Sequence, residues 1–316
     1  MSDALKPVEL SYRGLNRLRR SLYSRGILKP RHLSRPVVSI GNLSMGGSGK
    51  TPATIAIARR LQQDGYRVAV LSRGYGRASG EIDIVKGVDV ERFGDEPVLM
   101  ASKISPAPVV VGADRLRAGE WFLGQGDCDL FLLDDGFQHL QLYRDVDIVI
   151  VDRDARWLRE GVTALEDADL VLYREQPPLS DGSSFVATLR PSACRIGSSP
   201  LSLELLKGKK LLAFSGLANN RRFFDSLAAL GAELVATRGF SDHHHFTESE
   251  MAELKELRMK SGAELAITTE KDFVKIQDPS LAVLEVEMSI DPAEIFIGRL
   301  YDRLAAAGLP VNRGTF

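Results

Sequence analysis

Short apolar runs alternate along this chain with stretches whose apolar residues recur every three or four positions. The runs fall at 36–40, 66–71, 108–111, 129–133, 146–151 and 169–172. They are unbroken rather than alternating apolar with polar, which is the pattern of strands covered on both faces. Between them, helical periodicity predicts helices over 52–64, 95–104 and 113–125. Such βα alternation predicts an α/β fold with a mainly parallel sheet sandwiched between helices, its ligands bound beyond the carboxyl ends of the strands.

A second α/β pattern begins at residue 210. It predicts strands at 210–214, 233–237, 264–268 and 282–287, and helices at 219–230 and 247–260. A final helix over 292–307 could pack on either half. The stretch 176–209 holds Pro177-Pro178, Asp181-Gly182-Ser183-Ser184 and Gly197-Ser198-Ser199-Pro200, and reads as a linker with a short strand around Ser184 to Leu189. The expected organisation is a first domain over 37–178, a linker and hinge over 179–209, and a smaller α/β domain over 210–316.

The first strand runs directly into "GNLSMGGSGKTP", residues 41–52. Packed glycines let backbone N–H groups converge on phosphate oxygens, and the following helix N-terminus adds partial positive charge. Ser44, Met45, Gly46, Gly47, Ser48 and Gly49 would form this P-loop NTPase-like cradle, with Lys50 reaching the β and γ phosphates and Thr51 offering its hydroxyl to Mg²⁺. Pro52 sits early in the helix, where its missing N–H costs little. Ser44 departs from the generic pattern, which has Gly there. The strand at 129–133 ends in Asp134-Asp135, carboxylates suited to Mg²⁺ beside a phosphate loop.

Composition narrows the function. With 316 residues and 44% hydrophobic content the chain can bury a large core, and its formal charge of −1 does not point to nucleic acid. Two cysteines, Cys128 and Cys194, form neither a disulfide framework nor a zinc pattern and fit a reducing compartment. The opening residues lack the apolar core of a signal peptide, and nowhere do about 18 apolar residues run together, so no spanning helix is expected. Charge is nevertheless uneven. Residues 1–36 carry nine Lys or Arg against Asp3 and Glu9, a local balance of +7. Leucines and tyrosines recur among them at helical spacing. This is either a helix packed on its own domain or an amphipathic segment for an anionic surface.

Eight pieces together resemble one family, the tetraacyldisaccharide 4′-kinases that phosphorylate a lipid A precursor in Gram-negative bacteria. They are "GNLSMGGSGKTP" (41–52), "LSRGYGR" (71–77), "GDEP" (94–97), "GADR" (112–115), "DDGFQH" (134–139), "FSGLAN" (214–219), "FSDHHHF" (240–246) and "TTEKD" (268–272). The family also carries a residue other than Gly at the position of Ser44.

The resemblance implies MgATP as phosphoryl donor and the 4′-hydroxyl of a tetraacylated glucosamine disaccharide 1-phosphate as acceptor. It implies Asp95 as the base and His243 as its partner, with Asp242 fixing the tautomer; the ordinary alternative for Asp95 is a helix N-cap. Glu96 would support the metal through water. Arg73, Tyr75, Arg115, Gln138 and His139 fall in family motifs as substrate-side candidates, Arg115 with a guanidinium fork suited to phosphate. "TTEKD" matches with no mechanism attached.

An acylated acceptor also favours the membrane reading of residues 1–36, with peripheral association at the cytoplasmic face of the inner membrane. The histidine run 243–245 could be read as metal-binding, but consecutive residues rarely present all their side chains to one ion. Two other classes compete with the kinase reading. A nucleotide-dependent switch or metallochaperone, if GTP-dependent, would often show Asn-Lys-x-Asp, and no Asn here precedes Lys. A non-enzymatic membrane-surface adaptor with a vestigial site would not need Lys50, Thr51, Asp134 and Asp135.

Overall fold

The computed structural model describes residues 6–44, 46–153, 158–174 and 183–310, the first seven of these for their backbone alone. In chain order the elements are α1 (Lys6–Ser24), β1 (Val37–Asn42), α2 (Lys50–Gln63), β2 (Val68–Ser72), β3 (Asp83–Ile84), α3 (Val90–Phe93), α4 (Asp95–Ile104), β4 (Val109–Val111), α5 (Arg115–Leu123), β5 (Leu130–Asp134), β6 (Val146–Val151) and β7 (Leu170–Tyr173). The second half contributes β8 (Ser184–Ile196), β9 (Ser199–Leu201), β10 (Lys210–Ser215), α6 (Asn220–Ala229), β11 (Glu233–Gly239), α7 (Glu248–Ser261), β12 (Leu265–Thr269), α8 (Glu270–Ile276), β13 (Ala282–Asp291) and α9 (Ala293–Ala306).

One sheet runs through both halves in the order β11-β10-β12-β13-β8-β7-β6-β1-β5-β2-β4-β3, with β9 paired to β8. The first lobe is parallel from β7 to β4, and every residue of β1, β2 and β5 is buried. That burial on both faces explains the unbroken apolar runs. The lobe's two cores lie on opposite faces of this sheet. One joins α2, α4 and α9 to β1, β5 and β6; the other packs Leu116 and Phe122 of α5 against Phe131 and Leu133.

The stretch expected as a linker is organised differently. Within it, Ser184–Ile196 forms a 13-residue strand that pairs in parallel with β7 at Val171↔Ser184 and antiparallel with β13 from Val186↔Asp291 to Ile196↔Ala282. The lobes are therefore joined by a hydrogen-bonded two-strand ribbon. Residues 175–182, including Pro177-Pro178, lie outside the described residues. The last helix settles on the first lobe. Phe296, Ile297, Leu300, Tyr301 and Leu304 of α9 enter its core, and Phe296 packs edge-on against Phe185 with ring centroids 5.3 Å apart. Among the described residues no helix is long and apolar enough to cross a membrane.

Candidate active site

The phosphate loop joins β1 to α2 and is held from beneath. Gly49 takes φ 94°, a left-handed conformation that suits glycine, and caps α2 so that Lys50 and Thr51 open the helix. Asn42, which the sequence reading missed, donates from Nδ2 to Ser44 Oγ (3.2 Å) and Ser48 Oγ (2.6 Å), stapling the two ends of the loop together. Met45 lies outside the described residues. From the other lobe, Ala218 lies over Gly46 and Gly47, and Met288 lies over Gly49, where an added Cβ would come within 2.9 Å of its methyl. The loop is thus roofed by the second lobe.

The two carboxylates at the end of β5 have opposite electrostatics. Asp135, held at φ 51°, pairs with Lys50 Nζ at 3.4 Å and with Arg159 Nη1 at 2.9 Å. Burial would push its carboxyl up, but Lys50 and Arg159 outweigh it and hold the group below the usual carboxylate range. Asp134 has no ion-pair partner among the described residues, and the Lys50 charge only partly favours its ionisation. It accepts only long hydrogen bonds, from Thr54 Oγ1 (3.4 Å) and Ser72 Oγ (3.3 Å). Burial first, then the neighbouring Glu96 and Asp135 charges, push it up to about 7. Among the described residues no three His, Cys, Asp or Glu side chains converge to hold a metal by themselves.

Asp95 opens α4 and is buried, with 7% of its surface exposed. The helix cap is Gly94, and Asp95 instead accepts from the Glu96 N–H at 2.9 Å. Its carboxylate meets His243 Nδ1 at 3.0 and 3.2 Å. His243 sits at φ 57°, a left-handed turn that aims its ring out of the second lobe. Lys271 Nζ reaches Glu96 Oε1 (3.1 Å), Asp242 Oδ1 (3.0 Å) and His243 Nε2 (3.3 Å), and Lys275 Nζ lies 3.9 Å from Asp95 Oδ2. Burial opposes ionisation of Asp95, yet the His243 hydrogen bond, Lys271 and Lys275 hold its carboxyl below the ordinary value. The Asp95 hydrogen bond in turn raises His243, against burial and Lys271.

One expected contact is absent. Asp242 Oδ2 is 3.9 Å from His243 Nε2, beyond hydrogen-bond reach; Asp242 accepts from the His243 backbone N–H (3.1 Å) and from Lys271. The histidine run diverges as well. His244 is taken up by Glu250 at 3.0 Å and by the Phe240 ring, while His245 points to solvent.

The remaining candidates separate by environment. Tyr75 is exposed and packs on His243 with centroids 5.0 Å apart. Arg73 is exposed on the cleft wall. Gln138 braces the loop, donating to the Asn42 carbonyl (2.9 Å) and accepting from Arg159 (3.4 Å). Arg115 is buried, with Nη1 donating to the Ala113 carbonyl and Nε left without a partner. Burial and the Arg73 charge lower its pKa. His139 is half-buried with Nε2 covered and unpartnered, and burial together with Arg115 pushes it down to about 3, so it is neutral.

A cleft of about 1210 Å³ between the lobes is lined by the phosphate loop, Asp134, Asp135, Arg159, Glu96, His243 and Lys271 among others; Asp95, Arg115, Gln138 and His139 are not among its lining residues. Arg159 and Lys271 were missed by the sequence reading. Arg159 sits in no recognisable motif, whereas Lys271 belongs to "TTEKD", whose place in the site only the fold reveals.

Comparison with known proteins gives a consistent result. The sequence pattern of the family described as tetraacyldisaccharide-1-P 4′-kinase matches residues 1–305. A tetraacyldisaccharide 4′-kinase of Pelobacter propionicus is 41% identical over 297 residues, covering 86% of this chain and 82% of the relative. One from Geobacter sulfurreducens is 38% identical over 311 residues, covering 88% and 87%. The crystal structure of an "apo" form of LpxK from Aquifex aeolicus in complex with ATP superposes with a TM-score of 0.79 at 30% identity, covering 95% of this chain and 98% of that one. By pattern, sequence and fold together, this chain belongs to the tetraacyldisaccharide 4′-kinase family, the ATP-dependent kinases of lipid A biosynthesis.

Proposed function

We propose that Asp95 is the base that receives the proton of the acceptor 4′-hydroxyl while the γ-phosphoryl group of ATP is held by the 44–51 loop. The observation carrying this reading is the Asp95–His243 pair, in which an ionised carboxylate is bonded to a histidine that lines the same cleft as the phosphate loop. Phosphoryl transfer needs an acceptor oxygen in line, a destination for its proton, and positive charge around the moving group. His243 Nδ1–H orients the Asp95 carboxylate toward the acceptor. Lys50, Arg159 and the N-terminus of α2 supply the positive charge on the donor side. The proton goes to an Asp95 oxygen and leaves with the product.

The residues present fit a magnesium ion. Thr51 and Asp134 would hold it, because Asp134 is the buried carboxylate with no ion pair among the described residues, its charge only partly offset by Lys50, while Asp135 is occupied by Lys50 and Arg159 and Glu96 by Lys271. Such an ion would supply positive charge against the phosphate oxygens of the donor. Arg115, with an unpartnered Nε, and the nearby Arg73 suit an anionic group of the acceptor, such as its 1-phosphate. Gln138 is committed to the loop and serves there.

The acylated acceptor places the enzyme at the cytoplasmic face of the inner membrane. In α1, Asn16 and Arg20 dock on the first lobe, whereas Leu15, Leu18, Ile27 and Leu28 are exposed beside Arg17, Arg25 and Lys29. That combination of apolar and basic groups suits an anionic bilayer and weakens with salt.

Incubating the protein with γ-labelled ATP, Mg²⁺ and the disaccharide lipid in detergent tests this reading. Label should appear in the lipid, and be largely lost with Lys50→Ala, Asp95→Ala and His243→Ala. ATP hydrolysis indifferent to lipid, with no labelled lipid, would instead indicate a nucleotide-dependent switch.

A further inference from the structure

Lys271 is the second residue of α8, a helix the sequence pattern does not announce. Its side chain is largely covered, with 15% exposed, and its ammonium faces two carboxylates and an imidazole nitrogen. An ammonium has three N–H donors and no lone pair. The structure offers three partners from two segments: Glu96 Oε1 of α4 at 3.1 Å and, from one turn of the second lobe, Asp242 Oδ1 at 3.0 Å and His243 Nε2 at 3.3 Å.

The third contact constrains chemistry, because a donor facing Nε2 leaves room there only for a lone pair. We propose that Lys271 is a positioning residue that fixes His243 as the neutral Nδ1–H tautomer, so that the imidazole donates to Asp95 without becoming a full cation. This deepens the reading of Asp95 as base and rests on it.

Two comparisons show why the role falls to Lys271. Asp242, the residue expected to set the tautomer, lies 3.9 Å from Nε2 and is an acceptor. Left alone beside Nε2 it would draw a proton there. That proton would produce an imidazolium locked in an ion pair with Asp95, or an Nε2–H tautomer with nothing to donate from Nδ1. Either would leave the carboxylate a poorer base or wrongly oriented. Lys271 removes this outcome twice over, by occupying Nε2 with a donor and by holding Asp242 Oδ1.

The ammonium state of Lys271 is secure, because Glu96, Asp95 and Asp242 outweigh its burial and raise its pKa. Lys271 and His243 belong to the second lobe, Glu96 and Asp95 to the first, so the tautomer is set within the second lobe and presented to Asp95 across the cleft.

The test compares Lys271→Met and Lys271→Arg with the full-length wild type. Lys271→Met is expected to lower kcat by about 30-fold or more while KM for ATP stays within about threefold, and Lys271→Arg, which still donates, to recover about a tenth or more of the wild-type kcat. A Lys271→Met kcat within about threefold of wild type overturns the proposal, as does a loss appearing only in KM.

Histidine-labelled wild-type protein gives a second readout that needs no variant to fold. Long-range ¹H–¹⁵N spectra at mildly alkaline pH should show His243 protonated at Nδ1 and bare at Nε2; the opposite tautomer or an imidazolium overturns the proposal. Asp95→Asn, assayed alongside, separates the two readings. If that variant keeps its kcat the base assignment fails, whereas if it loses activity while Lys271→Met does not, only the Lys271 proposal fails.

Discussion

Asp95 Oδ2 and His243 Nδ1 lie 3.0 Å apart across 148 residues of chain, one on the first lobe and one on the second. The carboxylate is buried, and besides the Glu96 N–H of its own helix its charge is sustained by groups reaching it from the opposite lobe: His243, Lys271 and Lys275. In the proposed mechanism catalysis and closure therefore share one contact, and ATP binding at the first-lobe loop is expected not to depend on it.

Asp95→Asn should thus separate binding from chemistry. The amide preserves shape but accepts no proton. We expect kcat to fall by about 10²–10⁴-fold with ATP affinity within about twofold of wild type. Equilibrium nucleotide binding beside initial rates checks this, and a parallel loss of ATP affinity would remove Asp95 from the base role.

Asp134 carries the opposite burden. Its carboxyl is raised from 3.8 to about 7, so the folded protein holds that proton more tightly than the unfolded chain does. Stability from this group is therefore lost as pH rises from the unfolded value toward 7, and above 7 the full cost of a buried, poorly compensated charge remains. Asp134→Asn should raise Tm by roughly 2–4 °C at pH about 8 in the absence of metal, with the gain shrinking on acidification. The same variant should lose kinase activity. Thermal unfolding at several pH values, paired with the labelled-lipid assay, tests both halves.

The legible parts of this molecule were those whose cause is local. Unbroken apolar runs such as "FLLD" at 131–134 announce strands buried on both faces, and the loop from Ser44 to Thr51 is contiguous in sequence, so its chemistry can be read directly. β8 was harder to see. It contains Pro191, buries only scattered positions, and owes its 13-residue length to pairing with β13 some 90 residues later. α8 spans seven residues, too few for a helical period to show. The Asp95–His243 pair could be anticipated only through family resemblance, and Lys271 only as a member of "TTEKD" with no role attached, because its partners, Glu96 and the Asp242–His243 turn, lie far from it in sequence.

Arg20 anchors the N-terminal helix through charge. It pairs with Glu160 at 2.6 Å and Asp167 at 3.0 Å, donates to the Phe137 carbonyl at 3.2 Å, and lies 4.1 Å above the Phe137 ring. Glu160 is itself only 5% exposed. Arg20→Met therefore leaves a buried carboxylate unpaired, and urea unfolding should show a loss of about 3–5 kcal/mol. Arg20→Met combined with Glu160→Gln should recover much of that loss, because the stranded charge and not the missing ion pair is the larger cost.

Gly41 is the point at which fold and site are most tightly coupled. It lies in β1, and a Cβ there would fall 2.4 Å from the Phe137 Cβ and 2.8 Å from the Phe137 backbone N. Neither atom is the tip of a flexible side chain, so the backbone after Asp134-Asp135 would have to retreat. Gly41→Ala should cost about 1–3 kcal/mol and also weaken MgATP binding, because the displaced turn carries Asp134, Asp135 and Gln138. Gly298→Ala supplies the contrast. That residue lies inside α9 with open space around it, and alanine there should stabilise by about 0.5–1 kcal/mol with nucleotide affinity unchanged. If both variants shifted stability alike, or if Gly41→Ala bound MgATP as the wild type does, the close approach of β1 to the acidic turn would not be what sets the carboxylates in place.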